Sequence, residues 1–190
     1  MLQEIFARFE VSAGCDSCGN LVPCVQILHV LSEQIDPTCV IVQRSDILSP
    51  TAQTLIEALN TELSARYPEQ GACHFRLDAH EVADGQGAFL IAFRAGTPVG
   101  CGAVRRIDAQ TGEVKRMYVV PKERGRGVGR VILNALEAEA RALRISRLVL
   151  ETGIRQTEAL ALYQRGGFMR IAPFGEYVGS PLSVCLAKEL

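Results

Sequence analysis

"VKRMYVVPKERGRGVGRVILNALEAEA", running from Val114 to Ala140, starts as an apolar strand, breaks at Pro121 and passes Gly125, Gly127 and Gly129 before taking up helical periodicity. Val128, Ile132, Leu136, Ala140 and Leu143 recur about every four residues, which predicts an amphipathic helix opening at the glycine run. A helix N-terminus exposes unpaired N–H groups and carries about half a positive charge, so it suits an anion. Glycines let the backbone approach such a ligand, and Arg124, Arg126 and Arg130 add charge around it. The expected ligand is a di- or polyphosphate.

Upstream, "TCVIVQRS" predicts a strand over about residues 38–44, and Ser49-Pro50 predicts a capped helix start. That helix is expected to run to about Arg66, burying Leu55, Ile56, Leu59 and Leu63, with Tyr67-Pro68 ending it. "GAFLIAFRAGTPVGCGAVRRI" reads as a hairpin of strands 88–94 and 99–107 joined by a Gly-Thr-Pro turn. A third strand spans Glu113 to Val120. Downstream come a strand "RLVLET", a helix "QTEALALYQRG" ended by Gly166-Gly167, and strands "FMRI" and "SVCLAKEL". Antiparallel strands followed by alternating strands and helices imply an α/β fold: a mixed, mostly antiparallel central sheet flanked by helices.

Two familiar phosphate loops fail against these letters. A P-loop needs Gly-Lys-Ser/Thr, which is absent. The dinucleotide fingerprint G-x-G-x-x-G meets Arg130 when started at Gly125 and Ile132 when started at Gly127, although Glu151 lies where a ribose-binding acid would. A nucleotide-dependent oxidoreductase and a glycine-rich turn that binds nothing therefore stay open as lesser readings.

What fits is R-x-x-G-x-G, Arg124 to Gly129, directly after an apolar strand. Here the chain resembles the GCN5-related N-acetyltransferase (GNAT) superfamily over about residues 38–190. "RLVLETGIRQTEALALYQRGGF" is similar to the family's fifth strand and following helix, ending in its Y-x-x-x-G-F. The resemblance implies that acetyl-CoA is the co-substrate, its pyrophosphate held by Arg124, Gly125, Arg126, Gly127, Val128, Gly129 and Arg130. It also implies that backbone amides over Met117, Tyr118 and Val119, beside a bulge, receive the oxyanion. Gln156 stands where the family usually has a cofactor-contacting asparagine; its longer amide keeps the same donor and acceptor groups.

Acetyl transfer from a thioester to an amine sets three demands. An alkylammonium with a pKa of about 10.4 leaves on the order of one molecule in a thousand as a nucleophile at neutral pH. A base must take that proton, donors must meet the oxyanion, and the departing thiolate gains from an acid. Glu113, eleven positions before Arg124, matches the place where histone-acetylating members carry their base. Tyr163 occupies the tyrosine of Y-x-x-x-G-F, a frequent general acid in the family. The bland readings are a solvated carboxylate at a strand start and a tyrosine packed between helix and sheet.

The acceptor is less legible. Arg105, Arg106, Lys115 and Arg116 put cations on neighbouring strands, which suits either an ion-paired sheet edge or a carboxylate-bearing substrate. Phe174, Glu176 and Tyr177, in "PFGEYVGSP", are specificity candidates. The leading expectation is N-acetylation of a small-molecule primary amine; a protein N-terminus or lysine as acceptor, and a non-catalytic acetyl-CoA sensor, are the alternatives.

Composition narrows the partners. A formal net charge of -1 gives no footprint for nucleic acid or an anionic membrane surface. No stretch approaches the roughly 18 apolar residues of a membrane span, and charges at Glu4, Arg8 and Glu10 are unlike a signal peptide, so a cytoplasmic protein is expected. Seven cysteines in a chain of this size read as reduced thiols. Residues 1–36 read as an appendage to a transferase domain over 37–190. Its Cys15, Cys18, Cys24 and His29 match a zinc knuckle only loosely, so no metal is expected. Its stripe Leu28, Leu31 and Ile35 needs a partner, either the domain or a second subunit of a homodimer.

Overall fold

The structure, a computed structural model, describes residues 39–69 and 76–190. The N-terminal cysteines, His29 and the predicted appendage helix lie outside the described residues. Strand β1 (Val40–Arg44) leads to helix α1 (Pro50–Arg66), whose N-cap Ser49 accepts a hydrogen bond from the Ala52 amide at 3.3 Å. Ala52, Leu55, Ile56 and Leu59 are its buried face, and the chain leaves the helix at Tyr67. Strands β2 (Gly87–Arg94) and β3 (Thr97–Arg106) form the hairpin. Its turn lies one residue earlier than the sequence suggests: Ala95 and Gly96 both take positive φ, the pairing that a type I′ turn demands. Thr97 and Pro98 therefore open β3, and the ladder slips one residue at Val99, between the pairs Pro98–Phe93 and Gly100–Ala92. Proline is tolerated beside such an irregularity because it has no N–H to give the ladder.

Strand β4 (Thr111–Val119) begins two residues before the expected Glu113. Helix α2 (Val128–Ala142), strand β5 (Arg147–Gly153), helix α3 (Thr157–Arg165), and strands β6 (Met169–Arg170) and β7 (Ser183–Glu189) complete the order. The sheet runs β1-β2-β3-β4-β5-β7-β6, and every neighbouring pair is antiparallel except β4 and β5.

Helix α2 packs on one face, where Ile132, Leu133 and Leu136 are fully buried against Leu90, Val104, Val114, Leu148 and Leu186. Burying one such side chain contributes roughly 1.5–3 kcal/mol. Gly102 makes the close approach possible, since a Cβ there would come within 2.9 Å of Ile132, Leu136 and Met117. Helix α1 covers the other face over Phe89, Ile91, Cys101, Ala103 and Tyr118. Burial there pushes the Cys101 thiol up to about 12, which keeps it an unreactive packing group.

Candidate active site

Two irregularities in β4 create the site. Opposite Gly102 the strand carries an extra residue, so that Tyr118 pairs with Cys101 but Lys115 with Ala103, and Arg116 takes a φ of 60. This bulge lies at Arg116–Met117, next to the Met117–Val119 amides, and re-aims the chain so that Met117 turns toward α2 and Tyr118 toward α1. Farther along, β4 and β5 part. Their parallel pairing ends at Val114–Leu150, although β4 continues to Val119 and β5 to Gly153.

A cavity of about 910 Å³ lies beside this last stretch of β4, within the range of roughly 300–1,000 Å³ common for ligand sites. Met117, Tyr118 and Val119 line it from β4, Arg124, Gly125, Gly127, Val128, Gly129 and Arg130 from the loop and α2, and Gln156 and Tyr163 from α3. Gly125 and Gly127 have φ of +74 and +81, and a Cβ at either would meet nothing within 4 Å. The loop thus presents bare backbone toward open space at the start of α2, whose first turn holds no acidic residue. That cradle fits the diphosphate of an acyl-CoA. Arg126 does not line the cavity; its side chain is 61% exposed, 3.6 Å from Glu123. Glu123 itself is held by Arg94 at 2.5 Å, so the acid beside the loop is already neutralised.

Gln156 is the N-cap residue of α3, yet its side chain makes no capping bond, which leaves the carboxamide for the cavity. The Tyr163 ring is buried at 5% exposure on the α3 side of the cavity. Burial, with the charge of Glu151 adding to it, raises its pKa well above the ordinary phenol value. Tyr163 is therefore neutral throughout the physiological range, and a weaker acid than a free phenol.

Glu113 does not line the cavity and is not a solvated carboxylate. It is 1% exposed on the α1 side of the sheet. One oxygen, Oε2, takes the Arg105 fork at 2.6 and 2.7 Å, and Oε1 accepts the Tyr177 hydroxyl at 2.7 Å. Lys115 Nζ donates to the same Tyr177 oxygen at 3.0 Å and lies 3.7 Å from Oε1. Arg105 also pairs with Glu81, and the two carboxylates outweigh the lowering effect of burial, so its pKa is raised. Burial and the Glu113 charge raise the Tyr177 phenol far above its usual range.

The four cations read as neighbours separate in space. Arg105 and Lys115 serve Glu113, Arg116 donates to Asn60 on α1 at 2.8 Å, and Arg106 donates to the Leu143 carbonyl beyond the end of α2 at 2.6 Å. Of the loop candidates, Tyr177 is buried on Glu113, Phe174 meets its ring edge-on at 5.2 Å, and Glu176 lies 3.4 Å from Lys115. The sequence reading missed Leu59, Glu62, Leu63 and Arg66, which bring α1 to the cavity wall. Their spacing of three and four along one helix marks a shared face, but nothing in the letters says what that face looks at.

Comparison with known proteins agrees with this geometry. The model of the acetyltransferase (GNAT) family matches residues 53–168. An IAA acetyltransferase of Azospirillum brasilense is 42% identical over 153 residues, 80% of this chain and 98% of that protein. An uncharacterised N-acetyltransferase of Escherichia coli is 27% identical over 78% of this chain and 94% of its own length. Among solved structures, one named as an acyl-CoA N-acyltransferase, from Klebsiella pneumoniae, superposes with a TM-score of 0.69 at 32% identity, covering 80% of this chain and 99% of that one. A GNAT acetyltransferase of Elizabethkingia anophelis solved with acetyl-CoA shares the fold at a TM-score of 0.56 and 21% identity, over 80% of this chain and 98% of that one. The parted β4 and β5, the glycine cradle and these likenesses agree: the chain belongs to the GNAT acetyltransferase family and is an acyl-CoA N-acyltransferase.

Proposed function

We propose that the enzyme moves an acetyl group from acetyl-CoA to the primary amine of a small molecule by direct attack, with Glu113 as base and Tyr163 as acid. The supporting observation is the end of β4–β5 pairing at Val114–Leu150, which leaves β4 amides over Met117–Val119 without a β5 partner beside the cavity. Amides so placed are donors for the acyl oxygen as it gains charge. In this reading Arg124 to Arg130 and Gln156 hold the co-substrate, the loop by backbone amides and Gln156 by its carboxamide. The transferase domain is residues 37–190.

Because Glu113 is enclosed, the proton reaches it through Tyr177. The phenol passes its own proton to Glu113 Oε1, 2.7 Å away, as its oxygen takes one from the substrate ammonium, which frees the amine lone pair to attack the acyl carbon. The raised pKa of Tyr177 makes a free phenolate unfavourable, so the two transfers are concerted. On the opposite side Tyr163 shares its proton with the departing thiolate. A small acceptor accords with the relative named as an IAA acetyltransferase and with one named as a mycothiol acetyltransferase, 33% identical over 122 residues. No helix among the described residues is long and apolar enough to cross a membrane.

The pH–rate profile tests the base. Glu113→Gln is expected to lower kcat about 10²- to 10⁴-fold with CoA affinity nearly unchanged. Its rate should recover partly at high pH, where the amine is already deprotonated. A wild-type rate across the pH range removes Glu113 from the mechanism.

A further inference from the structure

The arginine that opens the phosphate loop already holds a carboxylate. Glu62 lines the cavity from α1, and its Oε2 and Oε1 lie 2.5 and 3.2 Å from the two terminal nitrogens of Arg124. The remaining nitrogen, Nε, donates to the Val119 carbonyl at 2.9 Å, and the guanidinium sits 5.6 Å from the centre of the Tyr118 ring. Each nitrogen of Arg124 thus already has a partner within the protein. The Glu62 pairing, with its charge, is also what raises the Arg124 pKa.

Glu62 has a second cation. Arg66, one turn later on α1, lies 3.1 Å from its Oε1, and Arg66 is itself steadied by the Arg155 carbonyl at 3.3 Å and Glu158 at 3.5 Å. Arg124 can therefore leave without stranding the carboxylate. The Glu62–Arg124 pair is also partly exposed, with side chains 29% and 39% accessible, so breaking it is inexpensive. A guanidinium pairs with phosphate in the same two-pronged way as with carboxylate, so the exchange keeps its geometry.

We propose that Glu62 is a specificity-determining residue: it holds Arg124 in the free enzyme and yields it only to a ligand carrying a diphosphate at the loop. A phosphate-free thioester offers Arg124 nothing in exchange, and a single phosphate cannot meet the loop amides and Arg124 at once as a diphosphate can. The inference rests on the cavity being the acyl-CoA site. It deepens that reading by assigning discrimination among anions to a residue of α1, outside the glycine motif.

Calorimetric titration of wild type and Glu62→Gln with CoA, inorganic pyrophosphate, inorganic phosphate and S-acetyl-N-acetylcysteamine tests it. Glu62→Gln should bind CoA and pyrophosphate about two- to fivefold more tightly, the value of an exposed ion pair expressed as affinity. It should narrow the preference for pyrophosphate over phosphate and leave the phosphate-free thioester unchanged. In an Arg124→Gln background the gain from Glu62→Gln should vanish, because the carboxylate then has no loop arginine to hold. Unchanged or weaker CoA and pyrophosphate binding by Glu62→Gln, or a gain that persists without Arg124, overturns the proposal while leaving the site assignment intact. Failure of both wild type and variants to bind CoA overturns the site assignment and the proposal together.

Discussion

Gly127 is the sharpest place to perturb the proposed cofactor cradle, because charge can be introduced there with little change of shape. Its φ of +81 is left-handed, and a Cβ would meet nothing within 4 Å, so a side chain fits sterically but projects from bare loop backbone. Aspartate and asparagine are nearly the same size and tolerate left-handed backbone better than other residues, at a cost of about 1 kcal/mol. Both variants should fold with similar, slightly lowered melting temperatures. They should differ in CoA binding. A carboxylate about 4 Å from one phosphate charge, at an effective dielectric of about 20, costs about 4 kcal/mol, close to three decades in Kd. Wild type with CoA at 100 times its Kd should gain about 2.7 kcal/mol, read as a rise in melting temperature. Gly127→Asn should keep much of that rise under the same conditions, and Gly127→Asp should lose it. A full wild-type shift for Gly127→Asp would show that no phosphate sits at this loop.

Three further outcomes follow from the packing. Tyr163→Phe should slow turnover about 10²-fold with little change in CoA affinity, measured by steady-state kinetics and titration; an unchanged kcat would leave Tyr163 as a packing group between α3 and the sheet. Gly153→Ala should destabilise by about 1–3 kcal/mol in urea unfolding, because a Cβ there overlaps the buried Tyr67 hydroxyl that accepts the Arg155 amide at 2.8 Å. An unaltered midpoint would mean that Tyr67 can move aside. Burial raises the folded-state pKa of both Tyr163 and Tyr177, so the native state keeps protons that the unfolded chain loses near the free-phenol pKa of about 10. This contribution is fully present below about pH 10 and is lost above it; Tyr177→Phe should flatten the fall, and an equally steep decline in that variant would oppose the account.

The order of elements was readable because each carries a local signal. Ser49-Pro50 caps α1, the period of α2 places Ile132 and Leu136 inward, and Gly166-Gly167 follows α3. The hairpin turn was misplaced because Pro98 is a stronger turn signal in the letters than Ala95, whose positive φ comes from closure of the two-residue loop. The proposed cofactor loop was legible for a related reason: phosphate binding is a property of contiguous backbone, so its residues are neighbours in sequence. Glu113 was placed by the motif, but its surroundings were not. Arg105, Tyr177 and Lys115 converge on it from two strands and a loop 64 residues away, and only tertiary packing brings them together. The same is true of Glu62, which is 62 residues from the arginine it holds. An i,i+4 pair with Arg66 is all the sequence shows of it.

The central claim is that this enzyme acetylates a small primary amine at the expense of acetyl-CoA. The purified protein should be incubated with acetyl-CoA and a panel of small amines, amino acids and peptide acceptors, following release of free CoA thiol and the mass of the acceptor. The account predicts thiol release that depends on a small primary amine, matched by the acetylated amine, and lost with Gly127→Asp. Thiol release at the hydrolysis background for every small amine, or acetylation confined to peptide N-termini or lysines, would contradict it.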